Sequence, residues 1–421
     1  MKKVKIGVLG GFRGNAMIQY CKIVSNAELV AICDKSPEVI SRQKENTKGL
    51  DISFYTDYDE FLNHEMDAVV LANYATQHAP FAIKALKKGK HVFSEILPCQ
   101  NLAEAVELVE AVEESGKVYS YGENCCYFPA VRKMKELYQE GKIGEFEYGE
   151  GEYLHNCEPM WPMITYGEEN HWRNTMYANF YCTHSTGPII YVTGLRPVSV
   201  IGIEGGMCER KLRSGAKGGQ FGMEIITLEN GGIIKSIHGD LYENSLWFSM
   251  YGGKGRVECA REDEYAGVTS KVYLKCDEYS GEYPHYTKRP VVTYMPEIEG
   301  LASKFGHVGG DFYTMYNFTR KILGDEKAEI IDVYQALDMF LPGLLGYRSV
   351  LNGNKPIKIP NFRKKEEREA YRHDIACVDE LVAKEQVIPS FSKGNPNIPK
   401  EVYERQKRLR EERLKNSDIP Y

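Results

Sequence analysis

Val4-Lys5-Ile6-Gly7-Val8-Leu9-Gly10-Gly11-Phe12-Arg13-Gly14 is the stretch on which the fold turns. A short apolar run ends in glycines, the pattern of a buried strand feeding a tight turn and a helix. Gly11-x-x-Gly14 fits the second half of a G-x-G-x-x-G fingerprint, with Leu9 where its first glycine belongs and Gly10 in a displaced position. Glycines here let the backbone approach a pyrophosphate at a helix N-terminus. Asp34 lies 20 residues beyond Gly14, at the end of the next apolar run, Glu28–Cys33. A carboxylate there accepts hydrogen bonds from a ribose 2′-hydroxyl and repels a 2′-phosphate, favouring NAD over NADP, although Lys35 stands next to it.

Outward from this stretch, Asp67–Leu71, His91–Phe93 and Val118–Tyr121 read as further strands, with helical stretches between them. Asn101–Ser115 is the best helix: Asn101 can cap it, Glu104 can close a capping box, and Gly116 can end it. Such alternation predicts an α/β doubly wound parallel sheet, a Rossmann domain over residues 1–125. The pattern then changes. Phe146–Tyr153, Val198–Ile203, Glu224–Leu228 and Ile233–His238 follow as strands, and Asn230-Gly231 signals a hairpin. An α+β substrate and oligomerisation domain with a large mixed or antiparallel sheet is expected over 126–362. Segment 205–222, rich in Gly and Lys, reads as a mobile loop. Helices are predicted over Asp311–Leu323 and Val333–Leu351. A charged extension over 363–421 holds a helix-like run from Glu401 to Lys415, read as solvated surface, with an arm gripping a neighbouring subunit as the alternative.

A net charge of −6 on 421 residues gives no reason to expect nucleic acid or an anionic membrane as partner. The eleven cysteines form no C-x-x-C pair, so zinc has no support and reduced, packed thiols are expected. With no long apolar run, a soluble cytoplasmic protein is expected.

Glu123-Asn124-Cys125-Cys126-Tyr127 sets a carboxylate, an amide, two thiols and a phenol beyond the last Rossmann strand, where ligands of open α/β sheets bind. The two cysteines read as packing. Glu123, Tyr153, Tyr181 and His184 are residue types suited to general acid–base proton transfer. Each also has a structural reading: Tyr181 as a core aromatic, His184 as a turn residue, Glu123 as a backbone partner.

Lys90-His91-Val92-Phe93-Ser94-Glu95, and Asp67 through Asn73 to His78, resemble segments of the glucose–fructose oxidoreductase/inositol dehydrogenase (Gfo/Idh/MocA) family. Most sugar dehydrogenases of that family carry Glu-Lys-Pro where this chain reads Glu95-Ile96-Leu97-Pro98, so Ile96 replaces the lysine that assists hydroxyl oxidation. The Glu123–Tyr127 block, Glu152-Tyr153-Leu154-His155, Tyr181-Cys182-Thr183-His184, Gly306-His307 through Asp311, and Ile359–Phe362 resemble the NAD-dependent α-N-acetylgalactosaminidases, glycoside hydrolase family 109. The resemblance implies a tightly bound, recycled NAD⁺. It also implies hydrolysis by transient oxidation at sugar C3, deprotonation at C2, elimination at C1 and addition of water. It assigns catalysis to Tyr181, His184, Glu123 and Tyr153. Substrate binding falls to Arg173, Tyr127, His155, His307 and Asp311. Cofactor binding falls to Gly10, Gly11, Phe12, Arg13, Gly14, Asp34, Asn73, His78, Glu95 and Asn124. No metal is required, and a homo-oligomer is expected. The alternatives are an NAD-dependent sugar or glycoside 3-dehydrogenase and a non-catalytic NAD- or sugar-binding sensor.

Overall fold

The computed structural model describes residues 2–261, 271–282 and 296–416. Strands β1 (Val4–Leu9), β2 (Ala27–Cys33), β3 (Ser53–Tyr55), β4 (Ala68–Leu71), β5 (His91–Ser94) and β6 (Tyr119–Tyr121) form one parallel sheet in the order β3-β2-β1-β4-β5-β6. This is the doubly wound order, with a switch point between β1 and β4. Five of the six strands lie where the apolar runs predict them. β3 is too short and only half-buried to leave a pattern. The helix Leu102–Ser115 is capped by Asn101, whose side chain accepts from the Glu104 N–H, and ends at Gly116 in the left-handed conformation. One detail differs from the sequence reading. The Glu104 carboxylate accepts from the Gln100 N–H at 2.9 Å, one residue before the expected capping-box partner.

The second sheet has nine strands: β7 (Phe146–Leu154), β8 (Pro197–Glu204), β9 (Phe221–Leu228), β10 (Ile233–Gly239), β11 (Ser245–Gly252), β12 (Gly255–Cys259), β13 (Val272–Cys276), β14 (Tyr279–Glu282) and β15 (Ile357–Lys358). It is mixed, because β10 runs parallel to β7 while its other pairings are antiparallel. Asn230-Gly231 makes the β9–β10 turn, with Gly231 at φ +88°.

Alternation along β9 and β10 sends one row of side chains inward. Ile226, Leu228 and Ile234 supply its apolar end, and Glu224, Ser236 and His238 its polar end. That polar end lies under the helix Thr183–Thr193. Buried polar groups are costly unless hydrogen-bonded. Accordingly Asn179 Nδ2 donates to Glu224 Oε1 at 2.7 Å, and Ser236 Oγ lies 2.8 Å from Glu224 Oε2. Burial pushes the Glu224 carboxyl up to about 8 and holds His238 down at about 3, so both are neutral at physiological pH.

The helices Thr183–Thr193 and Val333–Leu351 cover the inner face of this sheet. Close approach is made possible by glycine. A Cβ on Gly151 would lie 1.8 Å from the Ser185 carbonyl oxygen, and one on Gly202 would lie 1.9 Å from that of Gly346. The helix Gly310–Ile322 returns to the Rossmann domain, where Tyr20 Oη meets Thr319 Oγ1 at 2.8 Å and the Tyr20 ring packs edge-on to Phe312.

Two expectations change. Segment 205–222 contains a helix, Glu209–Ser214, whose Lys211 and Ser214 are buried. It is held by close backbone packing of Gly218 on Met176 and of Gly219 on Gly205. The charged extension packs on its own chain. Arg368 is buried against Glu113, Arg372 pairs with Glu110, and Tyr403 Oη donates to the Gly215 carbonyl at 3.1 Å. Its last helix, Lys400–Asn416, spans both domains, with Arg410 on Glu38 at 3.0 Å. Its period is helical, but the partners of its charges lie hundreds of residues away.

Gly151→Ala should cost about 1–3 kcal/mol by overpacking and displace the helix that carries His184; chemical denaturation and circular dichroism would check it. The Glu224 carboxyl is raised from 4.5 to about 8. The stability its neutral form contributes is therefore complete below pH 4.5 and lost as pH rises through 8. Glu224→Gln should flatten that loss, so that melting temperatures measured at pH 6 and pH 9 differ less than in the wild type.

Candidate functional site

A cavity of about 1660 Å³ opens beyond the carboxyl ends of β1 and β4 and runs under the second sheet. It exceeds the usual size of a pocket for one small ligand, as a dinucleotide with a sugar beside it requires.

At the nucleotide end, Gly10 turns with φ +90°, and a Cβ there would lie 2.3 Å from the Ala72 carbonyl oxygen. A Cβ on Gly14 would lie 2.5 Å from the Gly10 carbonyl oxygen, so the turn into the helix Asn15–Ile23 tolerates no side chain at either place. Asp34 Oδ2 accepts the Gly11 N–H and Oδ1 the Ser36 N–H, both at 2.8 Å. The carboxylate is thus fixed while it faces the cavity, with lone pairs left for ribose hydroxyls. The Asn73 amide lines the cavity with both polar atoms buried and without partners among the described residues, a poised donor and acceptor. The glycine turn, the fixed carboxylate and the orphan amide fit NAD. Phe12 lines the same end, edge-on to Tyr166.

Between the two ends lies a charged hub. Asp311 accepts Arg13 Nη1 and Nη2 at 3.1 and 2.8 Å and Asn124 Nδ2 at 2.9 Å, and His307 Nδ1 lies 2.9 Å from it. Arg13 also pairs with Glu95 at 2.7 Å. The Arg13 and His307 charges hold the Asp311 carboxyl well below the usual range despite its burial. His78 stands outside the cavity wall, with its ring nitrogens on the Leu97 and Asn73 carbonyls, so it shapes the lining from behind.

At the inner end His184 projects from the helix Thr183–Thr193, and Glu123 reaches it from the end of β6. Glu123 Oε1 lies 2.7 Å from His184 Nδ1 and also accepts the Cys125 N–H at 3.1 Å. With Nδ1 donating to the carboxylate, Nε2 is the nitrogen left for the cavity. The Tyr153 ring lies 4.3 Å from the His184 ring, centre to centre, and Tyr181 lies 5.2 Å away edge-on. Burial raises both phenols, opposed at Tyr181 by the nearby Arg173, so both keep their protons. His155 lines the wall between Tyr153 and Cys157, its pKa lowered by burial. Ile96 lines the cavity and offers no proton-transfer group.

The trio Glu123, Cys125 and His184 brings its ligand-type atoms within 4.8 Å of one another. A tetrahedral ion would hold its ligand atoms about 3.3 Å apart. The Glu123–His184 separation of 2.7 Å is that of a hydrogen bond, and burial pushes the Cys125 thiol well up, away from a ligating thiolate.

Thus Tyr153, His155, Arg173, Tyr181, His184, His307 and Asp311 share one cavity with Gly10, Phe12, Arg13, Asp34, Asn73, Glu95 and Asn124. Glu123 stands directly behind His184. Tyr127 is different: its hydroxyl donates to the Glu329 carbonyl at 2.7 Å, its ring packs on Tyr191, and it lies outside the cavity lining. The 3-10 turn Asn124–Tyr127 sends it the other way. Sequence reasoning missed Lys211, His238, Tyr74, Lys407 and Arg410, all of which line the cavity. The last two come from the extension read as solvated surface, and Lys211 from a helix too short to show a period.

Residues 3–123 match the Gfo/Idh/MocA family, described as an oxidoreductase family with an NAD-binding Rossmann fold. The chain is 26% identical over 397 residues to a glycosyl hydrolase family 109 protein of Solibacter usitatus, covering 86% of this chain and 88% of that one. It is 26% identical over 445 residues to glycosyl hydrolase family 109 protein 4 of Phocaeicola vulgatus, covering 93% and 84%. Its fold is similar to that of the WlbA dehydrogenase from Bordetella pertussis, solved with NADH and UDP-GlcNAcA, with a TM-score of 0.68 at 19% identity over 85% of this chain and 98% of that one. The N-terminal part of the chain is therefore a Gfo/Idh/MocA NAD-binding Rossmann fold, and over most of its length the chain is related to proteins of glycosyl hydrolase family 109.

Proposed function

We propose that this protein is an NAD-dependent enzyme that oxidises a secondary hydroxyl of a sugar or glycoside, with His184 as the general base. The observation that carries this reading is the Glu123–His184 hydrogen bond of 2.7 Å at the inner end of a cavity whose other end fits a dinucleotide. When bound, NAD⁺ supplies the hydride acceptor. His184 Nε2 takes the hydroxyl proton, and the buried Glu123 carboxylate stabilises the imidazolium that results. The dyad supplies the base that Ile96 cannot. Tyr153 and Tyr181, as neutral phenols, donate to the substrate oxygens and orient the ring. Arg13, fixed between Glu95 and Asp311, keeps the neighbouring wall rigid.

A second reading has its own support. Tyr153 packs against the same imidazole, so two proton carriers meet at one point. A ketone formed by the first step acidifies the adjacent C–H. His184, once its first proton has passed to solvent, would take that C2 proton, the C–H electron pair would form a C1=C2 bond, and the C1 substituent would leave with the proton from the imidazolium. Addition of water and return of the hydride would complete a redox-neutral hydrolysis, in keeping with the names of the curated relatives.

Incubation of the NAD-loaded protein with a panel of α- and β-glycosides in D₂O separates the two. Absorbance of NADH rising with substrate supports net oxidation. Free sugar with deuterium at C2 and no NADH supports hydrolysis. Neither signal, on any member of the panel, would sink both. Glu123→Gln should lower kcat by about 10²–10⁴-fold without loss of retained NAD, measured after denaturing the protein; unchanged turnover would remove the dyad from the mechanism.

A further inference from the structure

Two cations face the inner part of the cavity without a carboxylate. Lys211, in the helix Glu209–Ser214, is only 4% exposed and lines the cavity. Its ammonium stands 5.3 Å from the centre of the Trp161 ring and makes no hydrogen bond or ion pair with the described residues. The neighbouring carboxylate, Asp240, is already engaged: its Oδ1 accepts Arg210 Nη1 at 3.3 Å and the Cys157 N–H at 3.2 Å. The Arg173 guanidinium lies 4.4 Å from the Trp172 ring and 5.6 Å from that of Tyr181, and it forms no ion pair with the described residues. The two belong to one wall: the Trp161 indole beside Lys211 donates from Nε1 to Asn174 Oδ1 at 2.9 Å, Asn174 is the chain neighbour of Arg173, and Trp161, Lys211 and Arg173 line the same cavity.

Elsewhere in the cavity Arg13 meets Asp311 and Glu95, Lys84 meets Asp59, and Arg410 meets Glu38, while Lys35, Lys304 and Lys407, which form no ion pair among the described residues, are exposed to solvent. A buried ammonium that touches no carboxylate and shares the charge of Asp240 with Arg210 is costly. Aromatic faces offset part of that cost and leave the donors of Lys211 free. A neutral sugar has no need of two such charges.

We propose that the substrate carries an oxyanion group, a carboxylate or a sulfate or phosphate ester, bound between Lys211 and Arg173. The inference rests on the reading of this cavity as a sugar site and adds the charge class of the sugar. Lys211 supplies a mobile point charge and Arg173 a flat two-pronged donor, an arrangement that suits an oxyanion better than a hydroxyl.

Calorimetric titration of the NAD-loaded full chain tests it without requiring turnover. The probes are methyl glucuronide and galacturonide, the corresponding methyl glucoside and galactoside, and the 6-sulfates and 6-phosphates of the latter two. Charged members should bind about ten- to a hundredfold more tightly than their neutral counterparts. Whether the uronides or the esters lead identifies the group. Lys211→Met should bring charged ligands down to the affinity of neutral ones, and Lys211→Arg should keep most of the difference, with melting temperatures verifying that both fold. Equal binding of charged and neutral members, no binding by any charged member, or a charge preference that survives in Lys211→Met would overturn the proposal. Turnover of neutral sugars without a charge preference would sink this inference alone. Tight, Lys211-dependent binding of charged sugars with no hydride chemistry would sink the proposed function alone.

Discussion

The hydrogen bond between Glu123 and His184 is the contact on which the rest of the site depends. Glu123 leaves the last strand of one domain and His184 sits on a helix of the other, so the pair exists only when the domains are docked. Glu123 is fully buried, and its second oxygen has no hydrogen-bond partner among the described residues. A buried carboxylate is costly unless its charge is met. The group placed to meet it is the His184 imidazole, 2.7 Å away.

That docking is prepared by close packing away from the chemistry. Gly151 lets β7 touch the backbone of the helix carrying His184, and one turn further along Gly187 leaves just enough room for the Glu123 side chain. The Arg13–Asp311 contact adds a second bridge, between the nucleotide turn and the helix Gly310–Ile322. The two bridges frame the space in which a nicotinamide and a sugar ring would meet. The helix Lys400–Asn416 brings Lys407 and Arg410 to the outer rim of the same space.

Much of this was legible in the chain. The Rossmann half follows from strand–glycine–helix punctuation, and Asp34 from its distance beyond Gly14, because both are local patterns fixed by backbone geometry. The Asn230-Gly231 hairpin is legible for the same reason. Tyr153, Tyr181 and His184 stood out by residue type, yet nothing local told their roles from those of core aromatics. Tyr127 shows the limit: it shares a five-residue block with Glu123, and a single 3-10 turn sends the two side chains to opposite sides. Lys211 shows the reverse, an unremarkable lysine in a glycine-rich segment that tertiary packing buries and turns toward the cavity.

The sequence by itself determined the α/β class of the first half, the mixed second sheet, the position of the nucleotide turn and the inventory of acid and base groups. These depend on periodicity, on glycine and on turn chemistry, all expressed within a few residues. Only the tertiary structure decided which of those groups meet. Glu123 and His184 are 61 positions apart, and Arg13 and Asp311 are 298 apart. A hydrogen bond depends on distance and angle in space, and no local pattern carries information about either.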